Sequence, residues 1–307
     1  MSPAALRGIN CMDKTSDLHI HSHYSEDGDF SVGRIFELAA EQGLSGISIT
    51  DHDSVESVGD ALAVAQESVV EYIPGVELTT VLSVDGSQQH ILGYFVDHTD
   101  RGFLDLLKYI QDCRLTVARK RINALKSIGF TVEENRIWEM AGNRAPAAAS
   151  IMLEVLDNPV NHGDRRLAEY LRGPKSDDRL RHFYREYLIE GAPAYVPFES
   201  VDTQEGIDAI KKGGGIPVLA HPVFVRNRDW LDVIVGYGIK GIEAISTYHT
   251  EEETLFYLSY AKKRALLITA GSDYHGPTAK PKVTIGGVEG NSFAYFEALK
   301  AAAKKNH

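Results

Sequence analysis

Cysteine and long apolar runs are both scarce in this sequence, and their scarcity narrows the class of protein. Only Cys11 and Cys113 occur among 307 residues. This is too few for a disulfide framework, so a reducing cytoplasm is the expected location. No uninterrupted run of about 18 apolar residues exists, so no membrane-spanning helix is predicted. Residues 1–15 also lack the apolar stretch of a signal peptide and are interpreted as a poorly ordered leader.

Positively charged side chains are also fewer than negatively charged ones. The chain has 32 Lys and Arg against 43 Asp and Glu, which gives a formal net charge of −11. This balance argues against avid non-specific binding to duplex nucleic acid. A small anionic substrate stays compatible with it, because bound divalent cations would reverse the local field of a carboxylate-rich pocket.

Short apolar segments alternate with helical patterns in two blocks of the sequence, at about 17–96 and 215–305. Repeated strand-helix units of this kind favour parallel strands, and we expect both blocks to share one sheet. Helices are predicted at 31–42, 203–212, 251–264 and 293–304. The seven predicted strands are 16–20, 46–50, 72–80, 90–95, 216–220, 241–245 and 266–270.

The middle of the chain, residues 100–195, differs from both blocks because it has charged helical patterns and almost no strand signal. Its clearest helical stretches are 103–127 and 177–190. The sequence therefore predicts an α/β fold in which a barrel domain, 16–99 and 196–307, carries an inserted, mainly helical domain at 100–195.

Histidines and carboxylates cluster where the predicted strands end. His19 and His21 are two residues apart near the end of a strand, so their side chains share one face and can hold one metal. The following loop offers Asp27 as an oxygen ligand. The same pattern recurs at His52, Glu77, His221, Asp273 and His275, whereas His90 begins its apolar segment. Because barrel enzymes build their sites at the carboxyl ends of strands, these residues predict one shared metal site.

The ligand types narrow the choice of metal but do not identify it. Imidazole and carboxylate without thiolate suit zinc, manganese or iron. Six histidines and three carboxylates are too many for one tetrahedral ion, so two or three ions bridged by a carboxylate are expected. Such a cluster can supply a metal-activated water and stabilise the departing oxyanion, as hydrolysis of a phosphate ester requires.

Six motifs, DLHIHSHYSEDG, TDHD, PGVEL, HILGYF, VLAHP and GSDYHG, follow one another in the order of one family. On these motifs the sequence resembles the PHP (polymerase and histidinol phosphatase) phosphoesterases over about residues 16–99 and 195–280. It is most similar to the stand-alone bacterial enzymes with a helical insertion, which hydrolyse nucleoside 3′,5′-bisphosphates or shorten 5′-phosphorylated RNA. The resemblance implies a distorted barrel of seven strands, (β/α)7, which agrees with the seven predicted segments.

The resemblance also implies which residues bind metal. It predicts a trinuclear site in which Glu77 is the bridging carboxylate. The nine ligands carried over by motif are His19, His21, Asp27, His52, Glu77, His90, His221, Asp273 and His275.

Two segments depart from the family pattern. Related enzymes often have Gly-Arg-Pro-His in the insertion and Gly-Lys-Pro-Ala-Tyr after it, where this chain has NRAPA at 143–147 and GAPAY at 191–195. A histidine and a lysine are thus replaced by Ala147 and Ala192. Arg144 remains as a candidate phosphate ligand, because a guanidinium can bind phosphate through two hydrogen bonds, and Tyr195 as a second candidate for substrate binding.

Other polar residues receive roles from their position in the sequence. His23 and His249 are candidates to protonate a leaving group. Asp17, Asp51 and Asp53 are interpreted as carboxylates that orient the ligating imidazoles. The basic run at 119–121 is interpreted as a solvated helix face, with steering of a phosphorylated substrate as the alternative.

The function predicted from these observations is metal-dependent hydrolysis of phosphate monoesters, of nucleotides or of a short single-stranded nucleic acid end. No obligate protein partner is indicated. The alternatives are a phosphatase of a small ester such as histidinol phosphate, an amidohydrolase that cleaves a C–N bond, and a metal-binding module without activity. Loss of ligands would favour the last alternative, and none of the nine is lost.

Overall fold

The computed structural model describes residues 14–142 and 144–306, so most of the predicted leader, residues 1–13, lies outside the described residues. The described part of the chain is a mixed α/β fold. Its strands are β1 Ser16–Ile20, β2 Gly46–Ile49, β3 Glu71–Tyr72, β4 Gly75–Leu82, β5 Ser87–Tyr94, β6 Ile216–Leu219, β7 Gly241–Ser246 and β8 Leu267–Gly271.

Helices cover the outside of these strands and fill the middle of the chain. None of the described helices is long and apolar enough to cross a membrane. Their bounds are α1 Val32–Glu41, α2 Ser57–Ala65, α3 Arg101–Ser127, α4 Glu134–Ala141, α5 Ala148–Asp157, α6 Ala168–Arg172, α7 Arg179–Phe183, α8 Thr203–Lys212, α9 Trp230–Gly236, α10 Glu251–Arg264 and α11 Phe293–Asn306.

The strands form two sheets, so the prediction of one parallel sheet is wrong. The first sheet has the parallel order β1-β2-β3, and the second has the order β4-β5-β6-β7-β8. In the second sheet β5 is antiparallel to both β4 and β6. Only the four residues 83–86 connect β4 to β5, whereas a parallel pair needs a crossover of about a dozen residues.

The predicted strand at 72–80 is in fact two strands, which raises the number from seven to eight. Its first residue ends β3, and residues 75–80 belong to β4 in the other sheet. Pro74 lies between the two strands, and proline has no backbone N–H with which to continue a ladder. The chain therefore changes sheets at this point.

Two isolated bridges connect the two sheets. Ile20 at the end of β1 forms a bridge with Tyr274, and the amide of His21 donates to the Tyr274 carbonyl at 2.8 Å. On the other side His52 forms a bridge with Glu77, whose amide donates to the Asp51 carbonyl at 3.1 Å. These isolated bridges bring strand ends from both sheets together.

Helix α1 illustrates how the sequence specifies its elements. The Ser31 side chain accepts a hydrogen bond from the Arg34 amide at 3.3 Å and caps the first turn. Gly43, with a φ of +73°, follows the last turn. The predicted start and end of this helix are both confirmed. The buried face of the helix consists of Val32, Ile35, Phe36 and Ala39.

Between β5 and α8 the described chain is helical, and much of this segment packs around a hydrophobic core of its own. Residues from Ala118 to Ala194 contribute to that core. The helical stretch predicted at 177–190 is confirmed over residues 177–188, where a 3-10 turn, α7 and a π-helical turn at Tyr184–Leu188 follow one another. Phe183 and Leu188 are both buried, and their spacing of five residues matches the wider π turn.

Candidate metal centre

The nine predicted ligands converge at the place where strand ends from the two sheets meet. His19 lies in β1 and His21 follows it, while Glu77 and His90 lie on the neighbouring strands β4 and β5. The remaining five lie in loops, four of them directly or shortly after β2, β6 and β8. These five are Asp27, His52, His221, Asp273 and His275.

Glu77 lies at the centre of the cluster. Its Oε2 atom is 3.3 Å from Nε2 of His19, 3.2 Å from Nε2 of His21 and 3.0 Å from Nδ1 of His52. Burial raises the pKa of this carboxyl group, but the surrounding imidazoles outweigh burial and hold the pKa well below its ordinary value. Glu77 is therefore a buried anion around which several ligands gather.

His90 and His221 contact the other oxygen of Glu77. Nδ1 of His90 is 2.8 Å from Oε1, and Nε2 of His221 is 3.0 Å from it. His90 lies in the N-terminal half of its strand, whereas His19 lies near the carboxyl end of β1. Because β5 is antiparallel to β6, that half of β5 lies beside the carboxyl end of β6, which His221 follows. The antiparallel pairing thus brings His90 to the same end of the fold.

Asp273 uses its two oxygens for different partners. Its Oδ1 atom is 3.3 Å from Nε2 of His19 and 3.1 Å from Nε2 of His21. Its Oδ2 atom accepts a hydrogen bond from the Tyr248 hydroxyl at 2.6 Å and contacts the Lys280 ammonium. Burial raises the pKa of Asp273, but Lys280 and the nearby histidines lower it by more than burial raises it. The pKa of Asp273 is therefore well below its ordinary value.

Asp27 and His275 complete the cluster from two loops. Nε2 of His275 is 3.7 Å from Oδ1 of Asp27, and its ring stacks on His21 with centroids 3.9 Å apart. The loop that carries Asp27 turns tightly, since a Cβ on Gly28 would lie 2.0 Å from the Ser22 carbonyl oxygen. Burial raises the pKa of Asp27, but the nearby histidines outweigh it and lower the pKa below its usual value.

The cluster fits divalent metal ions. In each of three overlapping groups, the candidate ligand atoms lie within 4.8 Å of one another. Within the described residues, one buried atom on each of Asp27, His52, Glu77 and Asp273 has no hydrogen-bond partner, as expected where a cation completes the site. The three groups are His21 with His52 and His275, His19 with His21, Glu77 and Asp273, and His52 with Glu77 and His90.

Glu243 supports the cluster from β7, and the sequence did not single it out. Its Oε1 atom accepts a hydrogen bond from Nδ1 of His19 at 2.9 Å, and Oε2 accepts from the His221 amide at 2.7 Å. With Nδ1 as the donor, Nε2 of His19 is free to face Glu77 and Asp273. This is the orienting role of a carboxylate behind a ligating imidazole.

Asp17, Asp51 and Asp53 do not have the role predicted for them. Among the described residues no imidazole side chain donates to them, and they bind backbone amides and hydroxyl groups instead. They hold the loops that carry ligands. Asp17 accepts a hydrogen bond from the Ser272 amide at 2.9 Å. Asp51 accepts one from the Ser22 amide at 2.7 Å, and Asp53 accepts one from the Thr79 amide at 2.6 Å.

Two ligands have a strained backbone. The φ angles of His221 and Asp273 are 23° and 55°, in the left-handed region that residues with a Cβ rarely adopt. Both residues directly or shortly follow a strand. Strain of this kind is held in place by the surrounding structure and is typical of functional sites.

The structure does not place the predicted proton donors among the ligands. His23 is exposed, and its ring lies 4.4 Å from that of Tyr24. His249 donates from Nδ1 to the Ala244 carbonyl at 3.1 Å and packs against Tyr257, with ring centroids 4.8 Å apart. His249 lines neither of the cavities described below.

The two predicted substrate-binding residues, Arg144 and Tyr195, lie outside the cluster of candidate ligands. The Arg144 guanidinium donates to the His23 carbonyl and lies 5.8 Å from the ring of Tyr24, so it holds the metal-binding loop. Tyr195 lines a cavity beside the cluster rather than the cluster itself.

Two adjoining cavities lead away from the metal ligands. The metal-side cavity, of about 160 Å³, is lined by Asp27, His52 and His90 together with Arg114 and Arg121. The outer cavity, of about 550 Å³, has an aromatic lining. Both cavities are lined by Gln88, Arg121, Tyr184 and Phe198. The aromatic residues of the outer cavity are Tyr184, Tyr195, Phe198 and Phe224.

Arg114 is a cavity residue that the sequence reasoning missed, and Arg121, which belongs to the basic run at 119–121, also lines the cavities. Arg114 donates to Oδ2 of Asp53 at 2.9 Å and to the Thr79 hydroxyl at 3.2 Å. The two arginines are seven residues apart on α3, a spacing that puts both on one helix face. The sequence therefore contained a signal for them in its helical periodicity.

Comparison with known proteins agrees with the geometry. The model of the PHP domain family matches residues 17–155. The chain is 27% identical to a phosphoribosyl 1,2-cyclic phosphate 1,2-diphosphodiesterase from Eggerthella lenta, over 85% of this chain and 94% of that protein. It is 27% identical to a 3′,5′-nucleoside bisphosphate phosphatase from Chromobacterium violaceum, over 85% and 87%. It is 29% identical to a 5′-3′ exoribonuclease from Haemophilus influenzae, over 87% and 92%.

Two solved structures share the fold. One is described as a metal-dependent phosphoesterase from Bifidobacterium adolescentis, with a TM-score of 0.75, 23% identity, and coverage of 94% of this chain and 96% of that one. The other is an amidohydrolase from Chromobacterium violaceum, with a TM-score of 0.77 and the same identity and coverage. The resemblance first read from six sequence motifs is confirmed, since residues 17–155 match the PHP domain and the relatives and solved structures include phosphatases and phosphoesterases.

Proposed function

We propose that this protein hydrolyses phosphate monoesters of nucleotides with a centre of three divalent metal ions held by the nine residues. The observation that carries the proposal is the convergence of five imidazoles on the two oxygens of buried Glu77. Three overlapping groups of ligand atoms support three ions, with Glu77 shared between two of the groups. The donor set of imidazole and carboxylate suits manganese, iron or zinc.

The chain's own residues account for binding and orientation of a phosphate group. When bound, divalent ions supply Lewis acidity and lower the pKa of water at the site. Arg114 points into the metal-side cavity beside His52 and His90, where its charge can neutralise phosphate oxygens. Asp53 holds Arg114 in this position through a hydrogen bond of 2.9 Å. Glu243 fixes the ring of His19 as described above.

The shape of the site favours nucleotides over smaller esters. The outer cavity of about 550 Å³ is large enough for a nucleoside. Its aromatic side chains offer faces on which a base can stack. The activities for which two relatives are named, a nucleoside bisphosphate phosphatase and a 5′-3′ exoribonuclease, also favour nucleotides. The partner we propose is therefore a nucleotide or a short single-stranded end rather than an amino-alcohol phosphate.

We also propose the finer architecture expected from the family. The bridges at Ile20 and Glu77 support a single distorted barrel formed by both sheets. The separate hydrophobic core between Ala118 and Ala194 supports an inserted helical domain at about 100–195. In this arrangement the barrel supplies the metal ligands, while α3 and the segment after it line the cavities.

A phosphate-release screen of the purified protein tests the proposal, run together with elemental analysis of bound metal. Nucleoside monophosphates, nucleoside bisphosphates, 5′-phosphorylated oligonucleotides and histidinol phosphate form the substrate panel. We expect the nucleotide classes to be hydrolysed and His19→Ala or Asp273→Ala to lower turnover by more than about 100-fold. His162→Ala, at an exposed histidine remote from the ligands, is the matched control. Full activity of both ligand variants would refute the proposal.

A further inference from the structure

Asp273 differs from the other two ligand carboxylates because it has a cationic side chain as a partner. In the described part of the chain, the ion-pair partners of Glu77 and Asp27 are all histidines, whereas Asp273 also pairs with Lys280. The Lys280 ammonium contacts Oδ2 of Asp273 and donates to the backbone carbonyl of the same residue at 3.1 Å. Lys280 and the proposed metal centre therefore share one carboxylate.

Tyr248 and Lys280 together occupy one oxygen of that carboxylate. The Tyr248 hydroxyl donates to Oδ2 of Asp273 at 2.6 Å and accepts a hydrogen bond from the Lys280 ammonium at 2.6 Å. An ammonium group has no acceptor and an ionised carboxylate has no donor, so only the hydroxyl can both donate and accept. The three groups thus form a closed ring of hydrogen bonds at Oδ2.

The other oxygen of Asp273 has no such partner. Its Oδ1 atom is buried and lacks a hydrogen bond within residues 14–142 and 144–306. It lies 3.3 Å from Nε2 of His19 and 3.1 Å from Nε2 of His21. A buried acceptor without a donor is unfavourable unless a cation binds there. The two oxygens therefore differ in function, since Tyr248 and Lys280 hold one and the other faces the ligating imidazoles.

The same contacts hold the backbone at Asp273, where the φ angle is 55°. A residue with a Cβ keeps this conformation only when the surrounding structure enforces it. The Thr247 hydroxyl, next to Tyr248, donates to the Ser272 carbonyl at 3.0 Å, next to Asp273. The loop after β7 and the loop after β8 are thus joined on both sides of the carboxylate.

The ring of Tyr248 is fixed independently of its hydroxyl. It packs edge to face against His221, with centroids 5.7 Å apart, and against Phe224, with centroids 4.9 Å apart. A phenylalanine at position 248 would keep these ring contacts and lose only the hydrogen bonds. Tyr248→Phe is therefore a variant that changes the support of Asp273 with little change in packing.

We propose that Tyr248 and Lys280 are positioning residues that restrict Asp273 to one metal-binding oxygen and direct it toward His19 and His21. This inference rests on the proposed metal centre. Lys280 has two opposing effects on a metal ion, because its charge repels the ion while its hydrogen bonds hold the ligand. Positioning predicts that loss of Lys280 weakens metal binding, whereas charge alone predicts that it strengthens metal binding.

The test is a titration of the metal-free, full-length protein with Mn²⁺, in which electron paramagnetic resonance measures the free ion. We expect one Mn²⁺ ion to bind about 10- to 100-fold more weakly in Tyr248→Phe and in Lys280→Met than in the wild type. The two groups of ligands without Asp273 should keep their affinity. Lys280→Arg retains a charged donor and should recover part of the loss.

Two matched variants control for charge and for the loss of a hydroxyl. Lys282→Met removes the same charge two residues away, at an exposed pair with Asp177, and Tyr109→Phe alters an exposed tyrosine. Neither should change Mn²⁺ binding. If Lys280→Met does not fold, Tyr248→Phe decides the outcome.

The possible failures differ from one another. Unchanged affinity in Tyr248→Phe, or tighter binding in Lys280→Met, would overturn the inference while the metal centre stands. An equal loss of every ion would show a general structural role and would also overturn it. A wild-type protein that takes up no Mn²⁺ would instead refute the proposed metal centre, and the inference with it.

Discussion

Glu243 connects two of the proposed metal ligands, His19 and His221, which are more than 200 residues apart in the sequence. One of its oxygens orients the ring of His19 at 2.9 Å, and the other fixes the backbone at His221 at 2.7 Å. It is completely buried in β7, so its charge is not screened by water. The residue that holds the centre in shape is therefore not itself one of the nine ligands.

We expect Glu243→Gln to lower metal affinity by about 10- to 100-fold while the protein stays folded. An amide can replace one hydrogen bond but removes the negative charge behind His19. The measurement is metal content after dialysis against graded concentrations of free metal, with circular dichroism to monitor folding. Glu251→Gln, on the exposed first turn of α10, is the matched control. Equal metal content in the two variants would show that Glu243 is not needed.

At the residue scale, the sequence singled out the candidate ligands that the structure brings together, but it did not single out the residues that support them. His52 and Asp273 could be found because a polar residue just after an apolar strand is conspicuous. Glu243 could not, because it lies inside a strand and only the fold shows that its carboxylate meets His19. Arg121 was interpreted first as part of a solvated helix face, with substrate steering as the alternative, because its basic neighbours hid the periodicity that turns it toward the cavities.

At the element scale, the helical segment is attached to the loop that carries Asp27. Glu26 accepts a hydrogen bond from the Ala147 amide at 2.7 Å and also contacts the Ser150 hydroxyl. Arg144 donates to the carbonyl of His23 in the same loop. The start of α5 thus holds one metal ligand in place, which links the helical segment to the metal centre.

We expect Glu26→Ala to reduce the number of bound metal ions by about one, because the loop would no longer hold Asp27 beside His275. Asp27 adjoins only the group that contains His275, so the two groups without His275 do not depend on this loop. Elemental analysis of purified protein gives the stoichiometry. Glu37→Ala, at an exposed position of α1, provides the control. Full metal content in Glu26→Ala would show that the contact with the helical segment is not needed for assembly of the metal centre.

The strands also show what a sequence pattern can and cannot determine. The bounds of β1 and α8 were predicted correctly from local periodicity. The pairing direction of β5 was not, because direction depends on the partner strand rather than on the alternation of side chains. The division between β3 and β4 was missed although Pro74 marked it.

At the scale of the whole molecule, a net charge of −11 surrounds a site built for anions. Cationic side chains near the site are few, and Arg226 at the outer cavity is already paired with Glu190 at 2.7 Å. A long polyanion would extend beyond the cavities into a negative surface field. A single nucleotide would not extend beyond the cavities into this field.

We therefore expect kcat/KM for 5′-phosphorylated oligonucleotides to fall as length increases from 2 to about 20 nucleotides at low salt. Raising the salt concentration should narrow this difference, because the Debye length shrinks from about 30 Å at 0.01 M to about 10 Å at 0.1 M. Steady-state kinetics over a length series at several salt concentrations gives the measurement, with the mononucleotide as the internal control. A protein that tracks long RNA on basic side chains would behave in the opposite way, since its kcat/KM would increase with length and decrease steeply with salt. That result would mean that the overall charge does not govern access to the metal centre.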